Sequence, residues 1–515
     1  TSSMQGTSNY NSSSNVAIGY HTLINFTGEG AGTVAIGFKA LTDLTSGTEN
    51  TAVGYQSGKE ISSGDKNTGL GYNSLAGTSA AAAYGDNNTA IGYNAATKID
   101  YGAHTNTVIG SRAGESFTQG SSNTLIGYHA LAQYNGYSAV PNPHNNVGIG
   151  YSPMGNFARS GTGTGGDLSH NIAIGYNAFL GADLGSNPTS SHSKNIAIGS
   201  YTLDSTGTNA QIGTIAIGHQ ALTALTSGAE NTAIGFQALT SNTTTSGNTA
   251  VGYQAAHKAT TAGSTTAIGS FSVGGASSSN LTGNNNTGIG RYALADIYDS
   301  GQSNTAVGNQ TLEEVTTGSF NTGLGAYAGD NVTTGAGNTY LGYYALCSAN
   351  NVTDEILIKA GSGTGMTAGG TETVRIGVET DYITNDFGEN ATWTHSSDRR
   401  IKKDIEDSKL GLDFINDLRP VTFKKKAPSE YPQEFEQYNA NTTERKNPDK
   451  KHYGFIAQEV KEAMDNAGHS EFPVWKENRD GMQELGETEL ITPLIKAVQE
   501  LSAEVKQLKQ QLEDK

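Results

Sequence analysis

The chain repeats itself, and the repeat limits the possible folds more than any other feature. A unit of the form N-T-A-I-G-Y-x-A-L recurs as "NVAIGYHTL" at 15, "NTAVGYQSG" at 50, "NTAIGYNAA" at 88 and "NTLIGYHAL" at 123. It continues as "NIAIGYNAF" at 171, "NTAIGFQAL" at 231, "NTAVGYQAA" at 248 and "NTYLGYYAL" at 338. Eighteen motif glycines run from Gly19 to Gly342, mostly 17 or 18 residues apart, with excursions to 25 around Gly175. A fixed period with local insertions predicts stacked coils carrying loops.

Each unit predicts one short strand, with Thr51, Val53 and Tyr55 alternating against Ala52 and Gly54. The residue before the motif glycine is always Ile, Val or Leu, which suits burial between coils. The one before that is mostly Ala or Gly, as where two backbones approach closely. Gly, Ser, Thr and Asn between the strands are the residues of tight turns. A strand and turn this short cannot bury its own face, so the units must stack. At about 4.8 Å per coil, the stack is a rod of roughly 85 Å. Abundant Ser, Thr and Asn also suit a disordered tract, but disorder gives no reason to keep an Ile/Val-Gly pair in phase.

Composition divides the chain. Residues 1–345 hold 9 Lys/Arg and 17 Asp/Glu, and the last 170 residues hold 22 and 31. The expected domains are therefore a repeat shaft at 1–345, a β transition segment at 346–396 and a charged domain at 397–515. A net charge of -17 argues against a nucleic-acid partner. No run approaches the roughly 20 apolar residues of a membrane span, so no membrane insertion is expected. No signal-like segment is read at Thr1. The 11 His and the single Cys347 show no metal-ligand spacing, and "GTGTGGD" at 161 lacks the Lys-Ser/Thr of a nucleotide loop. Neither cofactor nor metal is expected.

An aromatic residue follows the motif glycine in many units: Tyr20, Phe38, Tyr55, Tyr72, Tyr93, Tyr128, Tyr151, Tyr176, Phe236, Tyr253 and Tyr343. Such a line could hold a glycan by stacking; regular repetition favours a ladder that seals a seam between coils or chains. Insertions at 133–145, 152–170 and 180–194 are the better places for specificity. Sparse acids such as Glu313 with Glu314 give no sign of the paired carboxylates of a glycan hydrolase.

Past Gly342 the period fails. "EILIKAGSG" at 355 and "TVRIGVETDYI" at 373 read as strands. "LGLDFINDLRPVTFKKK" at 410 predicts a helix, a Pro stop and a strand, and "HYGFIAQEVKEAMDNAG" at 452 a strand entering an amphipathic helix. Over 489–515, Ile491, Leu494, Val498, Leu501, Val505, Leu508 and Leu512 alternate spacings of 3 and 4, the seam of a coiled coil. Ile or Val at a with Leu at d leans towards a dimer. A long rod outweighs a short helix pair, and a trimer is expected.

The Asn-x-Ala-Ile-Gly units over 15–345 resemble the head repeats of trimeric autotransporter adhesins. That resemblance implies a mainly β fold, a left-handed parallel β-roll from each of three chains. The ordered set "SSDRRIKKDI" at 396, "LRPVTF" at 418, "YGFIAQEV" at 453 and a terminal coiled coil closely resembles the intramolecular chaperone of phage tail fibres and tailspikes, the endosialidase-type self-cleaving domain. The resemblance implies a small α+β domain that assists trimerisation and then cuts itself off. It places the dyad at Ser397 and Lys402 and the cut between Ser396 and Ser397; with two serines in succession, a one-residue shift stays open. A hydroxyl becomes a nucleophile when a base takes its proton, and lysine can be that base when burial or neighbouring cations such as Arg399, Arg400 and Lys403 lower its pKa.

The expected protein is a homotrimeric tail-fibre or injection-particle fibre. Its partners would be itself, tail or baseplate proteins, and a host-surface receptor, with glycans as one receptor class. It would reside on a virion tail or another extracellular particle. A bacterial adhesin on the same rod requires an export signal and a membrane anchor, neither of which is read in these residues. A glycan-degrading tailspike is the other alternative.

Overall fold

The structure, a computed structural model, describes residues 14–27, 31–77, 85–99, 102–116, 118–132, 143–155, 157, 167–181, 191–206, 210–363, 366–379, 381–387, 390–394, 397–435, 437–444 and 449–514. The chain divides into two compact units, Thr1–His395 and Ser396–Lys515.

The first unit is a parallel β-solenoid. Eighteen three-residue strands, Val16–Ile18 through Thr339–Leu341, come one per repeat. Each pairs with the next in parallel and in register, as Thr51, Ala52 and Val53 do with Thr68, Gly69 and Leu70. The coiling continues past Gly342. Ile356–Ala360 pairs in parallel with Thr339–Leu341, and Thr373–Val378 with Ile356–Ala360. Asp381–Asp386 and Asn390–Thr394 then add antiparallel strands. A second parallel ladder joins Pro143–His144, Leu168–Ser169, His192–Ser193 and Gln211–Ile212. Its strands are two residues long, too short for any periodicity to reveal. The insertion residues 133–142, 158–166 and 182–190, and most of "GTGTGGD", lie outside the described residues.

Two rows of side chains make the core. Ala35, Ala52, Ala90 and Ala173 come from strand centres; Leu41, Leu131, Leu222 and Leu239 come from the following turns, and all are essentially buried. This corrects the expected roles of two motif positions. The residue before the glycine is half exposed: Ile18 is 58% accessible, Leu70 45% and Ile268 39%. Alternation puts strand centres inside, and the narrow interior admits Ala there because Leu arrives from the opposite wall.

The close backbone approach belongs to the motif glycine. Gly54 has φ +137°, and a Cβ there would lie 2.3 Å from the Gly71 carbonyl oxygen. Gly252, at φ +141°, meets the Gly269 oxygen in the same way. Both the dihedral and the space demand glycine.

The motif asparagine forms a ladder through the interior. Asn88 Oδ1 accepts from the backbone N–H (3.1 Å) and the Nδ2 (2.9 Å) of Asn106 in the next coil. Asn106 Nδ2 also donates to the Gly120 carbonyl at 2.8 Å. The same triple recurs at Asn304, Asn321 and Asn338. Buried amides satisfied in this way lock each coil to its neighbours.

The ladder ends on a charge. Glu355 takes the asparagine position, and its N–H donates to Asn338 Oδ1 at 3.0 Å. Its fully buried carboxylate accepts from Tyr340 Oη (2.8 Å), Ser348 N–H (3.1 Å), Ser348 Oγ (2.7 Å) and Gly370 N–H (3.2 Å). Burial first, and then Glu355, push the Tyr340 phenol well above its ordinary range and the Cys347 thiol up to about 12. Nearby, buried Lys359 donates to the carbonyls of Tyr343 (2.9 Å), Tyr344 (3.0 Å) and Gly363. One carboxylate collects donors and one ammonium collects carbonyls where the regular coil stops.

The second unit is built on Leu410, Phe414, Val460, Ala463, Met464, Val474 and Leu490. Helix α1 (Leu412–Asp417) ends before Pro420, and Val421–Phe423 pairs antiparallel with His452–Gly454. Helix α2 (Ala457–Asn466) is followed by Gly468 at φ +73° and a small hairpin, Trp475–Glu477 with Gln483–Leu485. Helix α3 (Ile491–Glu513) closes the chain.

Replacing one ladder amide strands partners on both sides. Asn304→Ala removes the acceptor shared by the Asn321 N–H and Nδ2 and the donor to the Gly318 carbonyl, so it is expected to destabilise the rod by on the order of 3 kcal/mol. Asn309→Ala, outside the ladder, should change stability by ~0.5 kcal/mol or less. Urea midpoints of the full chain measure both; equal midpoints would remove the ladder from its central role.

Candidate functional site

The segment expected to carry chemistry forms one tight turn. Arg399–Ile401 is a single 3-10 turn with Asp398 as its N-cap; the Asp398 carboxylate accepts the Arg400 N–H at 2.8 Å. The Arg400 guanidinium grips the same carboxylate at 2.7 and 3.0 Å. These bonds hold the Asp398 carboxyl below the usual carboxylate range. The turn reverses the chain, so Lys402 comes back over Ser397 and its Nζ lies 2.7 Å from Ser397 Oγ. Spacing of five residues thus becomes direct contact. Both side chains are exposed in the single chain. Arg400, read from sequence as a neighbouring cation, is paired with Asp398. Ser396, the other side of the expected cut, lies outside the described residues.

A serine hydroxyl in contact with a lysine nitrogen can pass its proton when that nitrogen is neutral, and desolvation is the usual way to neutralise a lysine. The pair and its turn begin where a known family begins. Residues 397–469 match the family model described as chaperone of endosialidase. This segment is similar to that family over those residues, which are a small part of the chain. A β-solenoid rod followed by the chaperone domain fits a phage tail fibre or tailspike. No curated protein matches the chain.

Other parts of the chaperone domain were less legible in sequence. Arg419, just before the Pro stop, forms a two-pronged ion pair with Glu459 at the start of α2. Glu500 on α3 accepts the Leu412 N–H at 2.7 Å, so the last helix caps the first. The seam residues Ile491, Leu494, Val498, Leu501, Val505, Leu508 and Leu512 are all 42–73% exposed, while Ala497, which flanks the seam, is buried. Beside the start of α3 lies an apolar groove of about 320 Å³, lined by Ile415, Leu418, Pro420, Phe455, Leu490 and Leu494 among others. Among the described residues, no group of three or more His, Cys, Asp or Glu could hold a metal, and no helix is long and apolar enough to cross a membrane.

In the rod, the aromatic column forms a stack. Ring centroids are 5.8 Å apart for Tyr20–Phe38, 5.1 Å for Phe38–Tyr55, 4.9 Å for Tyr55–Tyr72 and 5.4 Å for Tyr72–Tyr93, with planes within 17° of parallel. A second run extends from Tyr128 to Tyr292. Reading one column from sequence missed part of it: where Ser or Arg follows the glycine, Tyr201, Phe271 and Tyr292 supply the ring from the next position. Rings stacked this closely offer edges outward and few open faces, which disfavours the column as a continuous sugar platform.

The acids also stack. Asp296, Glu313 and Asp330 follow one another at 17-residue steps, on coils joined by the bonds from Asp296 N–H to Glu313 O and from Glu314 N–H to Asp330 O. Burial first, then repulsion from Glu313 and Glu314, raises Asp330 to about 7. Burial likewise raises Glu313 and Asp296. Succession along one column differs from two carboxyls facing each other across a substrate.

A carboxyl raised in the folded state stabilises fully below its unfolded pKa, near 3.8, and loses that contribution as pH rises through about 7. Thermal melting of the rod should therefore fall from pH 5 to pH 8, and Asp330→Asn should flatten that slope. An unchanged slope in the variant would remove Asp330 as its source.

Proposed function

We propose that the protein is a homotrimeric tail fibre: the rod meets the host surface, and the chaperone domain assembles three chains and then releases itself by cutting between Ser396 and Ser397. The observation that carries the cleavage reading is the 2.7 Å contact of Lys402 Nζ with Ser397 Oγ, at the first residue of the family match.

The reaction balances with these groups and one water. Ser397 Oγ attacks the Ser396 carbonyl carbon as its proton passes to neutral Lys402. The C–N bond breaks, and that proton goes to the Ser397 nitrogen, leaving an ester. Water then hydrolyses the ester to the Ser396 carboxylate and restores the hydroxyl. Neighbouring chains would supply the cover that desolvates Lys402, making the cut a report of completed assembly.

Trimer formation is supported by surfaces that one chain leaves open. The half-exposed Ile, Val and Leu column runs the length of the rod, and monomeric proteins rarely expose apolar patches beyond a few hundred Å². A face repeating at every coil is matched best by another face of equal period, which a second copy provides. The open α3 seam and the groove beside it repeat the pattern at the C-terminal end. Tail or baseplate proteins and a host receptor are the remaining partners in this reading. Injection-particle fibres and surface adhesins share such a rod, and a sugar-release assay separates any of these from a glycan-degrading tailspike.

Intact mass of the purified full chain should show two fragments meeting at Ser397. Ser397→Ala and Lys402→Arg should each give one full-length chain that still sediments as a trimer. A single intact chain from the unmodified sequence would reduce the chaperone domain to a retained assembly module; a monomer would overturn the fibre reading itself.

A further inference from the structure

The segment around the Ser397–Lys402 pair carries two large apolar side chains that its own chain does not cover. Every residue from 397 to 409 is exposed, and the first buried one is Leu410, in the core of the chaperone domain. Within that run Ile401 is 67% and Ile405 60% accessible, and neither packs on the domain core. They stand on either side of Lys402. Cations surround them. Arg400 is held by Asp398, whereas Arg399 and Lys403 form no ion pair among the described residues.

The same domain keeps an apolar groove open between α1 and the start of α3, lined by Ile415, Leu418, Phe455, Leu490, Ile491 and Leu494. A cavity of about 150 Å³ already encloses a benzene-sized group. The groove measures about 320 Å³, room for two isoleucine side chains. Glu487 is the charged residue of its lining, and Glu489 follows on the same turn, Glu487–Leu490. Neither carboxylate has an ion-pair partner among the described residues. Segment and groove therefore match twice: two exposed isoleucines face an apolar slot, and two unpaired cations face two unpaired carboxylates. The single chain leaves both sides of this match apart. The groove is also continuous with the α3 seam, since Ile491 and Leu494 belong to both, and that seam is where other copies are proposed to arrive.

We infer that in the assembled fibre Ile401 and Ile405 of one chain seat in the groove of a neighbouring copy, with Arg399 and Lys403 against its Glu487 and Glu489. Lys402 lies between the two isoleucines, so seating them takes its ammonium out of water. The rim carboxylates are meanwhile occupied by the other cations. Desolvation favours the neutral amine that Ser397 needs as its base. The cleavage site is thus incomplete until a second copy arrives, and this contact is what couples cutting to assembly. The inference rests on the trimeric, self-cutting reading above and names the surface that joins its two halves.

Disulfide trapping on the full chain tests it, in Ser397→Ala so that the chain stays whole. Ile405→Cys together with Leu418→Cys should give covalent dimers and trimers on a non-reducing gel, and either cysteine alone should give none. Native Cys347 is buried and does not compete. Bonds formed only within one chain, or no bonds, in a sample that sediments as a trimer overturn the inference and leave the fibre reading standing. Cross-linking by Leu418→Cys alone sets groove against groove and overturns it equally. A sample that sediments as a monomer overturns both. With Ser397 intact, Ile401→Ser and Ile405→Ser together should slow the appearance of the two fragments at least tenfold with sedimentation unchanged. Both side chains are exposed, so the single chain folds without them. An unchanged rate removes the covering role.

Discussion

The rod depends on buried amide groups that can be satisfied only by the coil above and the coil below. An asparagine in the interior of so narrow a roll would be costly alone. In the ladder, its oxygen takes two donors from the next asparagine, and its nitrogen reaches a turn carbonyl. Each coil is therefore stable only as a neighbour, which makes the rod a one-dimensional assembly of equal steps. The motif glycine is the companion constraint. Any side chain there would strike the next backbone and push the coils apart.

Such a stack has to stop somewhere, and open ends of a parallel sheet invite further pairing. Glu355 and Lys359 answer the two halves of that problem. The carboxylate consumes N–H and O–H donors, and the ammonium consumes carbonyls, where the next regular coil would have supplied partners. The antiparallel strands that follow turn the sheet away from its parallel course. Charged residues in a core are costly unless fully bonded, and here the bonding is what ends the repeat.

The single chain leaves part of its apolar surface outside. Its core is Ala facing Leu, while the larger Ile side chains and the α3 seam point outward. The Ser397–Lys402 pair shows the same incompleteness: contact is made within the chain, but cover is not. In the proposed trimer other copies would complete these surfaces, and the proposed coupling of cleavage to assembly follows from that division.

The sequence alone determined the number of regular repeats, the strand in each and the segment that carries Ser397 and Lys402, because period and motif are local properties. It also placed Val421–Phe423 and α2, where Pro420 and Gly468 mark the boundaries. It misassigned the inside of the roll, since alternation names two faces without saying which is buried, and the smaller Ala row went in because Leu arrives from a turn on the opposite wall. It read Asn as punctuation, whereas the ladder exists only between residues 17 to 25 positions apart. Register, termination and open faces were decided by stacking, because each is a relation between coils and no single coil contains it.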